Sequence, residues 1–302
     1  MPTNTSSPAV IEVTPYAQQQ PRWYCEHLEH GKVLSFAKAP FPFPEDDARF
    51  LLSQKQAGSR FHKNISYRPA SDVLKGADPG RDRERLHAIL RNFSREVTQF
   101  ISLFLAPYAG KLKLDFASFR PLEEQGRDLP WHKRNDLLHV DAFPTRPTRG
   151  GRILRVFVNI NPEASRVWNV GEPFHEFLPK LREKQVIAPP HRNAALAALR
   201  TVASKIGLPV PDRSPYDESM LFLHDWLKEN ADFQSNSPKR KLQFAPGACW
   251  MVYTDGVPHA VMSGRYALEQ TFIVPVQALV SPEVAPVNVL GRIAGSGISA
   301  ST

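Results

Sequence analysis

The sequence predicts a mainly β fold with flanking helices, in which one sandwich or barrel of strands is interrupted by a helical insertion. Three observations carry this expectation. Period-two alternation of apolar residues occurs on both sides of a block with helical spacing. The 28 prolines among 302 residues are about 9% of the chain against roughly 5% in average usage, which implies many turns. The length is enough to bury a full core, and strands resuming after an insertion point to one unit closing across it rather than two consecutive domains.

Taken in order, residues 1–21 and 281–302 are expected to be flexible tails, since neither shows a periodic apolar pattern. A single domain is expected over 22–280, with the helical insertion at about 172–238. The segment RERLHAILRNFSREVTQFISLFLAPYAG spaces Leu86, Ile89, Leu90, Phe93, Val97, Phe100, Ile101 and Phe104 as one face of a long helix, which Pro107 and Gly110 end. From Lys113 the spacing changes to two in KLDFASFR, LLHVDAF and RILRVFVNINP, the pattern of strands. Within the insertion, helices are expected at FHEFLPKLREK, at AALAALRTVASKIG with Asn193 as N-cap and Gly207 as stop, and at ESMLFLHDWLKEN. Strands return in LQFAPGACWMVYTDGVPHAVMSGRYALEQTFIVPV, punctuated by Pro-Gly and Asp-Gly turns.

Composition narrows the function classes. Two cysteines, Cys25 and Cys249, are too few for a disulfide scaffold or a cysteine-based zinc site. The formal charge of +8 suits contact with something anionic, and it equally suits plain solubility. No apolar run reaches the length of a membrane span, and MPTNTSSPAVIEVTPYAQQQP lacks the basic and apolar regions of a signal peptide. The expected location is the cytoplasm.

In DLLHVDAFP, His139 and Asp141 are two residues apart, so an extended chain points both from one face while Leu138 and Val140 take the other. After the Asp255-Gly256 turn, VPHAV places His259 on a returning strand. Two imidazoles and a carboxylate form the facial triad of non-haem Fe(II) oxygenases, which leaves three coordination positions for a chelating co-substrate and dioxygen. A 2-oxoglutarate co-substrate needs a cation for its distal carboxylate. Many such enzymes carry that cation about a dozen residues after the final histidine, where this chain has Gln270 in YALEQTF. Arg155 is therefore the expected partner. It shares a face of RILRVFVNI with Ile153, Phe157 and Asn159, and Asn159 and Gln270 are expected to add polar contacts.

The runs LLHVDAFPTRPTRGGRILRVFVNINP and DGVPHAVMSGRYALEQTFIVP resemble the Kdo 3-hydroxylase family, Fe(II)- and 2-oxoglutarate-dependent dioxygenases, over about Lys63 to Pro275. The resemblance implies a double-stranded β-helix, or jelly-roll, core and gives His139, Asp141 and His259 the metal role. It implies Fe(II), 2-oxoglutarate and dioxygen as reactants, with ascorbate as reductant. The implied substrate is Kdo (3-deoxy-octulosonic acid) attached to lipid A or its precursor, hydroxylated at C3 to give Ko. Carbon 3 is an unactivated methylene, beyond the reach of acid-base or nucleophilic catalysis. Such a substrate is anionic, so Arg120, Arg127 and Arg146 are expected to bind it, and the basic surface could meet an anionic membrane.

Two alternatives remain at the level of sequence. One is the same iron site acting on nucleic acid or protein, although no recognition-helix or stacking-aromatic motif is present and no nucleic-acid partner is expected. The other is a non-catalytic β-sandwich that binds a metal or an acidic glycan. Trp131, Trp168 and Trp250 are expected in the core or its rim.

Overall fold

The computed structural model describes residues 10–15, 18–54, 64–78, 80, 82–126, 128–183 and 213–294. Its architecture is two β-sheets with helices on the outer side and at one end, a mixed α/β fold rather than the mainly β one expected. The larger sheet has the order β1-β2-β9-β6-β11-β5-β3-β4 and the smaller β10-β7-β8. The strands are β1 (Val10–Glu12), β2 (Val33–Phe36), β3 (Ile65–Arg68), β4 (Val73–Lys75), β5 (Lys113–Arg120), β6 (Arg152–Asn159), β7 (Arg166–Gly171), β8 (Lys239–Phe244), β9 (Cys249–Tyr253), β10 (His259–Ser263) and β11 (Ala267–Val274). The helices are α1 (Pro21–Glu29), α2 (Glu45–Leu52), α3 (Arg83–Phe104), α4 (Phe174–Glu183), α5 (Pro215–Glu229), α6 (Ala231–Asn236) and α7 (Pro286–Ala294).

Side-chain alternation on β6 sorts the molecule into layers. Leu154, Val156 and Val158 face the helical side, where they pack with Leu90, Phe93 and Val97 of α3 and Leu28 of α1. Phe157 points the other way, into a core shared by the two sheets with Trp168, Val170, Leu242, Phe244, Trp250, Val252 and Val261. Phe157 and Trp250 stack at 5.2 Å and Phe244 and Trp250 at 3.9 Å, so aromatic faces fill the space between the sheets. Trp168 and Trp250 are thus core residues, and Trp131 is partly exposed.

β7 and β8 pair antiparallel from Arg166↔Phe244 to Gly171↔Lys239. The intervening chain leaves and re-enters at one end of the smaller sheet. Of the helices expected there, α4 and α5 are present, and the one at Asn193–Gly207 lies outside the described residues. α5 starts on a capping box in which Ser214 accepts from Asp217 N–H while Asp217 takes the Ser214 N–H. Asp217 Oδ1 also accepts from Thr148 N and Arg149 N, which fastens the Arg146–Gly150 loop to the helix.

Three expectations are corrected. The N-terminal segment expected as a tail supplies β1, which pairs parallel with β2. The C-terminal segment supplies α7, whose Val287 and Val289 enter a core with Leu138, Val140, Phe177 and Leu227. The His139–Asp141 triplet is no regular strand: it joins β10 by a single bridge between His139 and His259. The alternation of Leu138 and Val140 is real burial, but Gln234 takes the place of a second strand partner. Its amide accepts from Leu138 N and donates to Leu138 O, both at 2.8 Å.

Candidate metal centre

The ligand segment is fixed by backbone on both sides. His139 N–H donates to His259 O at 3.1 Å, His259 N–H to His139 O at 2.9 Å, and Asp141 N–H to Thr254 O at 2.8 Å. The loop between β9 and β10 is held in turn by Asp255, whose carboxylate accepts from Arg152 Nε at 2.9 Å and Ile153 N at 3.1 Å. Gly256 follows because a Cβ there would overlap the Arg152 guanidinium. One buried ion pair therefore sets the height at which His259 emerges.

His139, Asp141 and His259 are all buried, and one ligand atom from each lies within 4.8 Å of the others. His139 Nε2 is 3.8 Å from Asp141 Oδ1 and His259 Nε2 is 3.9 Å from Asp141 Oδ2. The opposite ring nitrogens are engaged: His139 Nδ1 lies 2.7 Å from Leu137 O and His259 Nδ1 3.0 Å from Val257 O. A carbonyl only accepts, so each Nδ1 carries the proton and each Nε2 keeps its lone pair. Asp141 Oδ2 is buried without a hydrogen-bond partner. Two imidazole lone pairs and an orphaned carboxylate oxygen, converging in a closed site, fit a divalent first-row metal with open positions.

The electrostatics agree. Burial pushes the His139 and His259 imidazoles below their ordinary range, with the Lys228 charge adding to the effect on His139, so both are neutral ligands. Burial works against the Asp141 carboxylate, but the charge of Arg155 beside it holds its pKa well below the usual range. Trp168 stacks on the His259 ring at 5.2 Å, and His224 of α5 meets the His139 ring edge-on at 5.0 Å.

Arg155 stands beside the triad, as its face on β6 requires. Its Nε is 3.2 Å from Asp141 Oδ2 and its Nη1 is 3.3 Å from Glu269 Oε1, and Nε has no aligned hydrogen-bond acceptor. Beyond it the charges alternate: Glu269 accepts from Arg120 Nε at 2.8 Å, Arg120 faces Glu124 at 3.9 Å, and Arg166 faces Glu124 at 3.7 Å.

The other expected residues divide. Arg120 is turned inward onto Glu269 and Glu124, so it braces β5 against β11 and does not offer itself to a substrate. Asn159 lies four residues from Arg155, about 13 Å along the strand. Its amide donates to Ala164 O and Phe244 O and accepts from Asn161 N, which makes it a loop anchor and removes it from the co-substrate site. Gln270 pairs with Val156 and therefore faces the helical side, donating to Asp115 O and Thr271 O. Arg146 pairs with Asp115 and lies 4.0 Å over Phe116 and 4.1 Å over Phe143, with a third of its side chain exposed. Arg127 lies outside the described residues.

Three residues were missed. Glu269 neighbours Gln270 on β11 and takes the opposite face, which the pairing of β11 with β6 makes the face of Arg155. His224 and Lys228 were legible only as a four-residue spacing on α5, with nothing in the sequence to say that this face turns toward the metal ligands.

A family model for 3-deoxy-D-manno-oct-2-ulosonic acid (Kdo) hydroxylase matches residues 11–297. Among solved structures, the Kdo hydroxylase KdoO, a non-heme Fe(II) α-ketoglutarate-dependent dioxygenase, in complex with cobalt(II) is 36% identical and superposes with a TM-score of 0.85, covering 98% of this chain and 99% of that one. The KdoO structure with α-ketoglutarate and Fe(III) is also 36% identical, with a TM-score of 0.83 over 97% and 98% of the two chains. The structure with succinate and Fe(III) has a TM-score of 0.82 at the same identity, over 98% and 99%. No curated protein matches. With its site geometry and its near-complete overlap with these structures, the chain belongs to the Kdo hydroxylase family of Fe(II)/α-ketoglutarate-dependent dioxygenases.

Proposed function

We propose that the protein hydroxylates C3 of Kdo carried on lipid A or its precursor, giving Ko and converting 2-oxoglutarate to succinate and carbon dioxide. The carrying observation is the buried His139–Asp141–His259 cluster, with both Nε2 lone pairs and an Asp141 oxygen that lacks a hydrogen-bond partner converging, in a chain 36% identical to KdoO over nearly its whole length. The facing sheets read as the double-stranded β-helix of such enzymes.

His139, Asp141 and His259 would hold Fe(II), and iron when bound supplies the activation of dioxygen that an unactivated methylene requires. The protein's own contribution is orientation. The two Nδ1–H···O=C bonds fix each imidazole, and Trp168 blocks rotation of His259. Arg155 is the group proposed to receive the distal carboxylate of 2-oxoglutarate. With Asp141 committed to a metal, the Arg155 guanidinium would be left in surplus and its Nε ready for an acceptor.

Arg146, a third exposed, and Arg127, on its sequence alone, are proposed to bind the anionic substrate, and ascorbate is proposed as the reductant that keeps the iron ferrous. Among the described residues no helix is long and apolar enough to cross a membrane. The partly exposed Leu122 and Trp131, close in sequence to Lys133 and Arg134, support a peripheral contact with anionic lipid. The test is mass spectrometry of Kdo-bearing lipid A after incubation with the protein, Fe(II), ascorbate and 2-oxoglutarate. The expected product carries one added oxygen on Kdo together with equimolar succinate. Succinate formation that Kdo-bearing lipid A neither raises nor couples to oxygen on the sugar would contradict this substrate.

A further inference from the structure

We infer that Lys228, on the helical insertion, forms a receptor for the C1 carboxylate of the acidic sugar and thereby sets C3 against the metal. This rests on the Kdo reading above and goes beyond it by assigning a subsite to α5.

Lys228 is 5% exposed, which places a cation of three N–H donors inside the protein. Its one hydrogen bond is from Nζ to His132 O at 3.2 Å, a neutral acceptor, and among the described residues it forms no ion pair. Burial brings its pKa down to about 8, and the carboxylates that oppose this effect, Asp141 before Asp225 and Asp136, act without touching it. The ammonium is thus protonated at neutral pH, buried and short of acceptors. A buried cation in that condition is costly unless a ligand completes it.

Its place is as informative as its deficit. Lys228 follows His224 by one helical turn, and the His224 ring is 5.0 Å from that of His139. α5 thus carries a second cation toward the side of the triad marked by His224, while Arg155 reaches Asp141 from β6. A metal in the triad would engage Asp141, the principal counter-charge of Lys228, and so raise the demand for an incoming anion.

The anion is a carboxylate with two possible sources. 2-Oxoglutarate brings two carboxylates, one adjacent to the keto group that chelates the metal and one distal, for which Arg155 is available. The sugar brings a third, bonded to C2 beside the deoxy carbon. Holding that group fixes C3, the reacting carbon, with a single intervening atom.

The experiment uses the full chain loaded with Co(II) and 2-oxoglutarate, titrated calorimetrically with free Kdo and with its methyl ester. Wild-type protein is expected to bind the acid at least about tenfold more tightly than the ester. Lys228→Met is expected to lose this preference, with Lys228→Arg recovering part of it, while the KM for 2-oxoglutarate in uncoupled turnover stays within about twofold. Thermal unfolding of Lys228→Met at or above the wild-type temperature would show that the loss is not misfolding. Equal binding of acid and ester by wild type, or an unchanged preference in Lys228→Met, overturns the subsite. A raised KM for 2-oxoglutarate with Kdo binding intact also overturns it and gives the ammonium to the co-substrate. Wild type that prefers the acid yet adds no oxygen to Kdo-bearing lipid A would leave the subsite standing and sink the C3-hydroxylation reading.

Discussion

At the scale of single residues, the site works by committing one nitrogen of each histidine. Because Leu137 O and Val257 O hold the Nδ1 protons, both Nε2 lone pairs point inward before any ion arrives. The same burial has a consequence for pH. His139, His224 and His259 all have folded-state pKa values below the ordinary 6.5. As pH falls below about 6.5 the unfolded chain takes up protons that the folded chain refuses, so stability is lost from there downward. Asp141, with its pKa depressed, adds stability above about 3.8 that is lost on further acidification. Calorimetry of chelator-treated protein should show the Tm dropping steadily from pH 7 to pH 4; a flat profile between pH 7 and 5 would contradict neutral buried imidazoles. Arg155 belongs to this scale too. Arg155→Met should raise the KM for 2-oxoglutarate about 10- to 100-fold, the worth of a charge-assisted contact, while Co(II) binding survives. Loss of metal binding with an unchanged KM would make the guanidinium a brace for Asp141 only.

Elements decide how much of this could be read from sequence. β5, β6 and α3 were legible because an apolar, β-prone run or a helical repeat marks each, and the layer sorting of Leu154, Val156 and Val158 against Arg155 and Phe157 follows from the period of two along β6. The His139 segment was misread as a strand because burial, which alternation reports, was supplied by α5 and by the Gln234 side chain rather than by a neighbouring strand. Asn159 and Arg120 were assigned to ligands because a strand face says which way a side chain points and nothing about what already fills its hydrogen bonds. Gln270 lay on the wrong face of β11, a matter of register that only pairing with Val156 reveals. The Asp255–Gly256 turn tests the element account. Gly256→Ala forces Arg152 off Asp255, breaking a buried pair, and should cost about 3 kcal/mol of stability and weaken metal binding through displacement of His259. Urea unfolding with a midpoint matching wild type would show that the turn does not depend on this contact.

Across the whole molecule, the two sheets divide the labour. The larger sheet carries Arg155, Glu269 and Arg120 on its inner face, the smaller presents His259, and the helical insertion closes over the His139–Asp141 segment. α7 joins that same core, and Glu29 of α1 accepts from Val280 N and Ser281 N, so both ends of the described chain brace the frame. The central claim is that three side chains from two distant segments of the chain hold one metal ion. Its most direct test is spectroscopic titration of metal-free protein with Co(II), for wild type and for His139→Ala, Asp141→Ala and His259→Ala, each checked for folding by circular dichroism. One equivalent should bind to wild type with visible absorption bands, and each folded variant should lose at least about a hundredfold in affinity. Wild-type stoichiometry and affinity retained in any of the three variants would contradict the claim.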